Sequence, residues 1–202
     1  FVGASDVYKR QTKEPKMNCN LMDIFKQRRS IYNLGHQLPV SEAEAVELVG
    51  ECIKNAPSAF NSQSGRAVVL FGTQHQKLWD IVLKHLQKVT PEDRFPATKQ
   101  KIASFAAGYG TVLFFEDDAV VTGLQKKFPL YKEAFPVFSC QSSGMLQYMV
   151  WTAFADVKIG ASLQHYNPLI DDDVKKEWNL PSSWRLICLL YTSPSPRDGA
   201  TS

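Results

Sequence analysis

Ala56-Pro57-Ser58-Ala59-Phe60-Asn61-Ser62-Gln63-Ser64-Gly65-Arg66, followed by the apolar run Ala67-Val68-Val69-Leu70-Phe71, is the stretch on which the fold turns. Ala45, Leu48, Val49, Cys52 and Ile53 approach it at helical spacing. Pro57 ends that helix, because its ring clashes with the preceding turn and it has no N–H to give. A strand leaves the stretch over residues 67–71. The loop is therefore held at both ends by packed elements. Ser58, Asn61 and Gln63 place neutral donors and acceptors within six residues, a surface that suits a planar heteroaromatic ligand better than a metal or a phosphate. Taken alone, the same residues also compose an ordinary polar turn.

Upstream, Ser41 and Glu44 have the spacing of a capping box at the start of the helix that leads to Pro57. Leu21, Ile24 and Phe25 predict a short helix ending at Arg28-Arg29-Ser30. Downstream, Leu78, Trp79, Ile81, Val82, Leu86 and Val89 outline an amphipathic helix, and His75 and His85 beside it read as surface or satisfied core residues. Thr90-Pro91-Glu92-Asp93 has the composition of a helix start. Thr111 to Phe115 is a continuous apolar run, expected as a strand buried on both faces. Glu116, Asp117 and Asp118 are expected to receive the first amides of the following helix rather than to bind a metal. Phe135 to Phe154 predicts a long central helix, interrupted in polarity only by Gln141-Ser142-Ser143-Gly144.

The pattern Ala56-Pro57-Ser58-x-x-Asn61-x-Gln63 resembles the flavin-contacting loop of the nitroreductase family, and Arg28-Arg29-Ser30-Ile31-Tyr32 is similar to a second stretch of that family. Gly160 to Pro168 and Gly108 to Asp117 look like the subgroup that includes copper-induced and fatty-acid-repression nitroreductase-like proteins. The resemblance implies an α+β (α/β sandwich) fold with a central, mostly antiparallel sheet flanked by helices. It also implies a homodimer with FMN at the subunit interface. By the same resemblance Arg28, Arg29 and Ser30 would meet the phosphate or ring edge, with Tyr32 where many members carry a basic residue. Ser58, Asn61 and Gln63 would face the flavin ring, and Ser162, Leu163, Gln164 and His165 would pass close to it. The implied activity carries hydride from NADH or NADPH to a nitroaromatic or quinone-like acceptor in ping-pong order, with no catalytic protein nucleophile. The alternative is a low-turnover flavin-binding regulatory or stress-response protein on the same fold.

The two ends read differently from the middle. Residues 1–11 and 188–202 look like translations of a sequencing adapter, leaving 17–187 as the nitroreductase-like domain, with its C-terminal segment expected to be cut short and its FMN affinity reduced. The net charge is +3, and Asp6, Lys9 and Arg10 contribute +1 of it, so the remainder is +2. That near-neutral balance gives no basic face for nucleic acid. Cys19, Cys52 and Cys140, widely spaced, read as reduced thiols of a cytoplasmic protein with no metal-ligand pairing. No apolar run approaches the roughly 20 residues that cross a bilayer.

Overall fold

Four antiparallel strands, β1 (Gly65–Phe71), β2 (Gly110–Asp117), β3 (Ile159–Gln164) and β4 (Trp184–Pro194), form one sheet in the order β1-β2-β4-β3. This computed structural model describes residues 21–32 and 38–194. Seven α-helices accompany the sheet among the described residues: α1 (Leu21–Gln27), α2 (Glu42–Asn55), α3 (Gly72–Val89), α4 (Phe95–Ala106), α5 (Asp118–Lys127), α6 (Phe135–Asp156) and α7 (Asp171–Glu177). The α+β class and the helix-flanked antiparallel sheet expected from the sequence are the observed architecture.

Strand alternation decides which residues reach which helices. On β2, Val112 and Phe114 join Val49, Leu146, Val150 and Phe154 of α2 and α6 in one core. Leu113 and Phe115 join Leu78, Trp79, Val82, Ile102 and Phe105 of α3 and α4 in the other. With helices on both faces, β2 has no solvent side, which is why its sequence is a continuous apolar run rather than an alternating one. Each fully buried Leu or Phe contributes about 1.5–3 kcal/mol. The pairing of β2 with β4 shifts at one point, Phe114 facing Cys188 while Phe115 faces Leu186, so Ile187 is the extra residue of a bulge.

Residues 188–194, set aside in the sequence reading as the start of 188–202, are the second half of β4. Cys188, Leu189, Leu190 and Tyr191 are fully buried, between β2 and β3. Residues 1–11, Met17 and Cys19, and the remainder of the C-terminal segment lie outside the described residues.

Most local signals act as read. Ser41 Oγ accepts from the Glu44 amide and the Glu44 carboxylate accepts from the Ser41 amide, completing the capping box. The start signal at Thr90-Pro91 does not begin α4. Arg94 and Phe95 donate to the Pro91 carbonyl to close a turn, and the helix starts at Phe95. Pro96 has no N–H to return to Glu92, so the turn cannot continue as one helix.

His75 is fully buried on α3. Its Nδ1 is 2.9 Å from Thr111 Oγ1 and its Nε2 3.1 Å from the Ala106 carbonyl. The carbonyl can only accept, so Nε2 carries the proton and Nδ1 accepts from Thr111. Burial pushes the His75 pKa below its ordinary value, so the unfolded chain binds this proton more readily than the folded one. Stability from this site is complete above the ordinary histidine pKa of about 6.5 and falls as pH drops below it. Urea midpoints measured from pH 7.5 to 5 should decline for the wild type and decline less for His75→Gln.

Candidate functional site

The loop that joins α2 to β1 is shaped by its own backbone bonds. Ala56 leaves the helix in an extended conformation, its N–H still reaching the Cys52 carbonyl at 2.8 Å. Phe60, Asn61 and Gln63 then sit at φ of 56°, 49° and 49°, a region that costs non-glycine residues of order 1–3 kcal/mol each. Several contacts hold them there. The Gln63 amide donates to Ser58 Oγ at 3.0 Å, and Arg66 Nη1 donates to the Gln63 carbonyl at 2.6 Å. The Phe60 ring packs against Phe128, Tyr131 and Phe135 at centroid distances of 5.0–5.7 Å.

Behind this loop is a cavity of about 400 Å³, lined in part by Pro57, Ser58, Gln63, Gly65, Ser142 and Leu146. Glu116 also lines it, although the residue is only 1% exposed. Its Oε2 accepts from both Ser64 Oγ and Ser139 Oγ, each at 2.6 Å, while Oε1 has no hydrogen-bond partner among the described residues. Gly65 keeps the approach open: a β-carbon there would stand 3.0 Å from Leu146 Cδ2 and 3.8 Å from Glu116 Oε1. Lys54 and Arg66 are at the rim, the first paired with Glu51 at 2.7 Å and the second with Asp117 at 3.2 Å.

The expectation for Glu116, Asp117 and Asp118 therefore needs correction. Asp117 alone caps α5, accepting from the Ala119 amide at 3.2 Å. Asp118 instead receives the Arg185 guanidinium at 3.0–3.2 Å. Glu116 belongs to the interior. Alternation from Val112 and Phe114 puts it on the α6 side of β2, and that parity was the signal available in the sequence.

Of the residues expected at the site, Ser58 and Gln63 line the cavity and Asn61 is exposed on the loop. The others gather elsewhere. Arg28 lies with its guanidinium carbon 4.3 Å from the Trp151 ring centroid and 5.7 Å from that of Tyr148, both on α6, and its buried Nε has no partner among the described residues. Arg29 turns back on the chain, Nη1 donating to the Arg28 carbonyl at 2.8 Å. Ser30 forms a parallel bridge with Ala161, and the Ile31 amide donates to the Ala161 carbonyl at 3.1 Å. The segments 28–32 and 160–165 are thus joined at the outer edge of β3. There Ser162 is buried, Leu163 and Gln164 are half-buried, and His165 is exposed, as is Tyr32 at 60%.

β1 and β3 are opposite edges of the sheet, three inter-strand spacings or about 14 Å apart. One chain therefore carries the candidate residues in two groups: an amide-and-hydroxyl loop with a buried carboxylate on one side, and a guanidinium with strand-edge amides on the other. α6 passes both, with Ser139 and Ser142 at the first and Tyr148 and Trp151 at the second. No cluster of three or more His, Cys, Asp or Glu that could hold a metal occurs among the described residues.

The model of the Nitroreductase family matches residues 25–192. The chain is 37% identical over 175 residues to HBN1 of Saccharomyces cerevisiae, covering 85% of this chain and 86% of that protein. It is 33% identical over 167 residues to the nitroreductase FRM2 of the same yeast, covering 82% of each. The nitroreductase CinD of Lactococcus lactis, solved in complex with chloramphenicol, superposes with a TM-score of 0.80 at 42% identity, covering 90% of this chain and 92% of that one. CinD has also been solved with nicotinic acid and with 4-nitrophenol.

Removing one hydroxyl from a buried carboxylate leaves that charge short of a donor. Ser64→Ala and Ser139→Ala should each lower stability by about 1–3 kcal/mol, read as a fall in the urea midpoint, with Ser62→Ala, 3.4 Å from Ser64 Oγ and not in contact with Glu116, as the milder comparison.

Proposed function

The chain belongs to the nitroreductase family, and we propose that it is an FMN-dependent oxidoreductase that carries hydride from NADH or NADPH to nitroaromatic or quinone-like acceptors. The observation that carries this reading is the pair of complementary half-sites on opposite edges of one sheet. A flavin mononucleotide has an anionic phosphate and a planar ring with a polar edge. Arg28, Arg29 and Ser30 suit the first, because guanidinium groups form forked, charge-assisted bonds to phosphate. Ser58, Asn61 and Gln63 suit the second.

A site that needs both halves calls for two chains. The outer face of α6 supports a homodimer: from Phe135 to Ala155 the helix has no charged residue, yet Val137, Met145 and Tyr148 are exposed. An uncharged helix face that exposes several large apolar side chains is suited to being covered by a partner. A second copy would bring the loop of one protomer to the β3 edge of the other.

FMN, when bound, supplies the hydride chemistry, and the protein binds, orients and shields it. Trp151 fixes the plane of the Arg28 guanidinium and so presents its donors in one orientation. Ser162 to His165 would contribute main-chain groups beside segment 28–32, and the reading asks no proton transfer of the exposed His165. The reading requires no protein nucleophile. Acceptor and donor would use the cofactor in turn, giving ping-pong kinetics. The nitroaromatics chloramphenicol and 4-nitrophenol and the pyridine ring of nicotinic acid, all bound by the L. lactis relative, support these ligand classes. Free thiols at Cys52 and Cys140 support a reducing, cytoplasmic setting. No described helix is long and apolar enough to cross a membrane.

Protein incubated with FMN and desalted should retain an absorption band at about 450 nm and oxidise NADH or NADPH when menadione or 4-nitrophenol is added. A colourless protein overturns the reading, and a yellow one without turnover leaves the low-turnover flavin protein. Arg28→Ala should weaken FMN binding about tenfold or more, as expected for loss of a charge-assisted bond. Arg29→Ala, whose guanidinium is bonded to its own backbone, should weaken it less. Fluorescence quenching of FMN measures both.

A further inference from the structure

The cavity behind the Ala56–Arg66 loop contains a group for which the proposed function gives no role. Glu116 is buried, carries two serine hydroxyls on Oε2, and leaves Oε1 facing the cavity with no partner among the described residues. A carboxylate removed from water without a cation is costly unless its remaining oxygen finds a donor. None of the nearby cations bonds Oε1: Lys54 pairs with Glu51, Arg66 with Asp117 and two main-chain carbonyls, and Arg185, opposite Glu116 on β4, directs its guanidinium to Asp118. Ser64 and Ser139 fix the carboxylate from two different elements, so Oε1 has a set direction. Gly65 leaves it reachable, and the volume of about 400 Å³ lies within the range of small-molecule pockets.

We propose that Glu116 Oε1 accepts a hydrogen bond from an amide-type N–H on a planar ring bound in this cavity, and so selects ligands that carry one. The inference rests on the flavin reading above. Nitro groups and quinone carbonyls have no N–H. The two ligands of the proposed reaction that do are the flavin, at the imide of its pyrimidine ring, and the reduced nicotinamide, at its carboxamide. Both offer the same chemistry to Oε1. Ser58 and Gln63 line the same cavity and complete a polar rim for either.

The test is Glu116→Gln in the full chain. Ser64 and Ser139 can still donate to the amide oxygen, which turns the amide nitrogen toward the cavity and replaces an acceptor with a donor at constant volume. Wild type and variant are titrated with FMN and with N3-methyl-FMN, and the KM values for NADH and menadione are measured. If the imide is the partner, wild type binds FMN about tenfold tighter than the N3-methyl compound, and the variant loses that preference. If the carboxamide is the partner, both flavins bind unchanged and the KM for NADH rises about tenfold while that for menadione stays. Both flavin affinities shifting by one common factor, or no selective change in either assay, overturns the proposal and leaves Glu116 as a structural tie. Should the variant fail to fold, Gly65→Ala, which keeps the carboxylate and narrows the approach, must show one of the same selective losses; a uniform loss overturns the proposal. Wild type that retains FMN without such selectivity defeats only the role of Glu116. Folded wild type that binds neither flavin defeats the flavin reading along with it.

Discussion

The bonds from Ser64 and Ser139 to one oxygen of Glu116 tie three elements that are distant in sequence: the end of the loop entering β1, the end of β2, and the first turns of α6. Much of the cavity's geometry depends on this tie. The Ser64 carbonyl also receives the Asp117 amide at 2.9 Å, so the loop exit is fastened to β2 by main chain and side chain together. A buried charged group held in this way is weak evidence for stability, since apolar residues of equal volume often serve as well. It is better evidence for position. An interior carboxylate with both of its donors on one oxygen has a fixed orientation and a second oxygen left to face the cavity.

The sheet imposes the other constraint. Because β2 and β4 occupy its centre and are largely buried on both faces, most polar groups of the candidate site lie at the edges, with Glu116 near the end of β2 as the exception. β1 and β3 are those edges, and each carries one half of the candidate site. The same helix, α6, borders both halves, which explains its mixed composition. Serines Ser139, Ser142 and Ser143 are buried toward the sheet, where Ser139 serves Glu116 and Ser143 receives the Gln147 amide at 2.9 Å. Further along, Tyr148 and Trp151 bear the Arg28 guanidinium. The uncharged outer stripe through Val137 and Met145 is left for a covering partner. A helix with these three duties cannot show a simple amphipathic period, and its sequence does not.

What the sequence made legible follows from how local each cause is. The capping box at Ser41, the stop at Pro57 and the Asp117 cap depend on neighbours within a few residues, and all three are present; the two-sided burial of Thr111 to Phe115 comes from distant helices but leaves its mark as an unbroken apolar run. The span of α6 was readable from its length and lack of charge. Acids commonly precede helices, which makes Glu116 read as a cap, whereas its partners are Ser64 and Ser139, 52 and 23 residues away. Only strand parity pointed inward. The separation of the two site motifs was illegible for a related reason: motif order along the chain carries no information on which sheet edge each one reaches. Likewise, Cys188 to Tyr191 as a central strand depends on long-range pairing with β2 and β3, which an adapter-like composition does not disclose.

The left-handed conformations of Phe60, Asn61 and Gln63 bear on what the loop is for. Three such residues in four positions are unfavourable unless the surroundings determine them. Here they do: Ser58 and Arg66 bond the loop from within, and Phe128, Tyr131 and Phe135 of a separate segment pack against one side of the half-exposed Phe60 ring. An ordinary polar turn needs no such support, because glycine or asparagine at one position is enough. Holding the loop backbone and the Ser58 hydroxyl in a strained but fixed arrangement lowers the ordering entropy that a ligand would otherwise have to overcome on binding. Part of the energy for this arrangement comes from the aromatic cluster and the Glu116 tie, in which Phe60 and Ser64 of the loop meet side chains of other elements. Disturbing either should loosen the site before it unfolds the domain, since the two cores on the faces of the sheet are built from other residues.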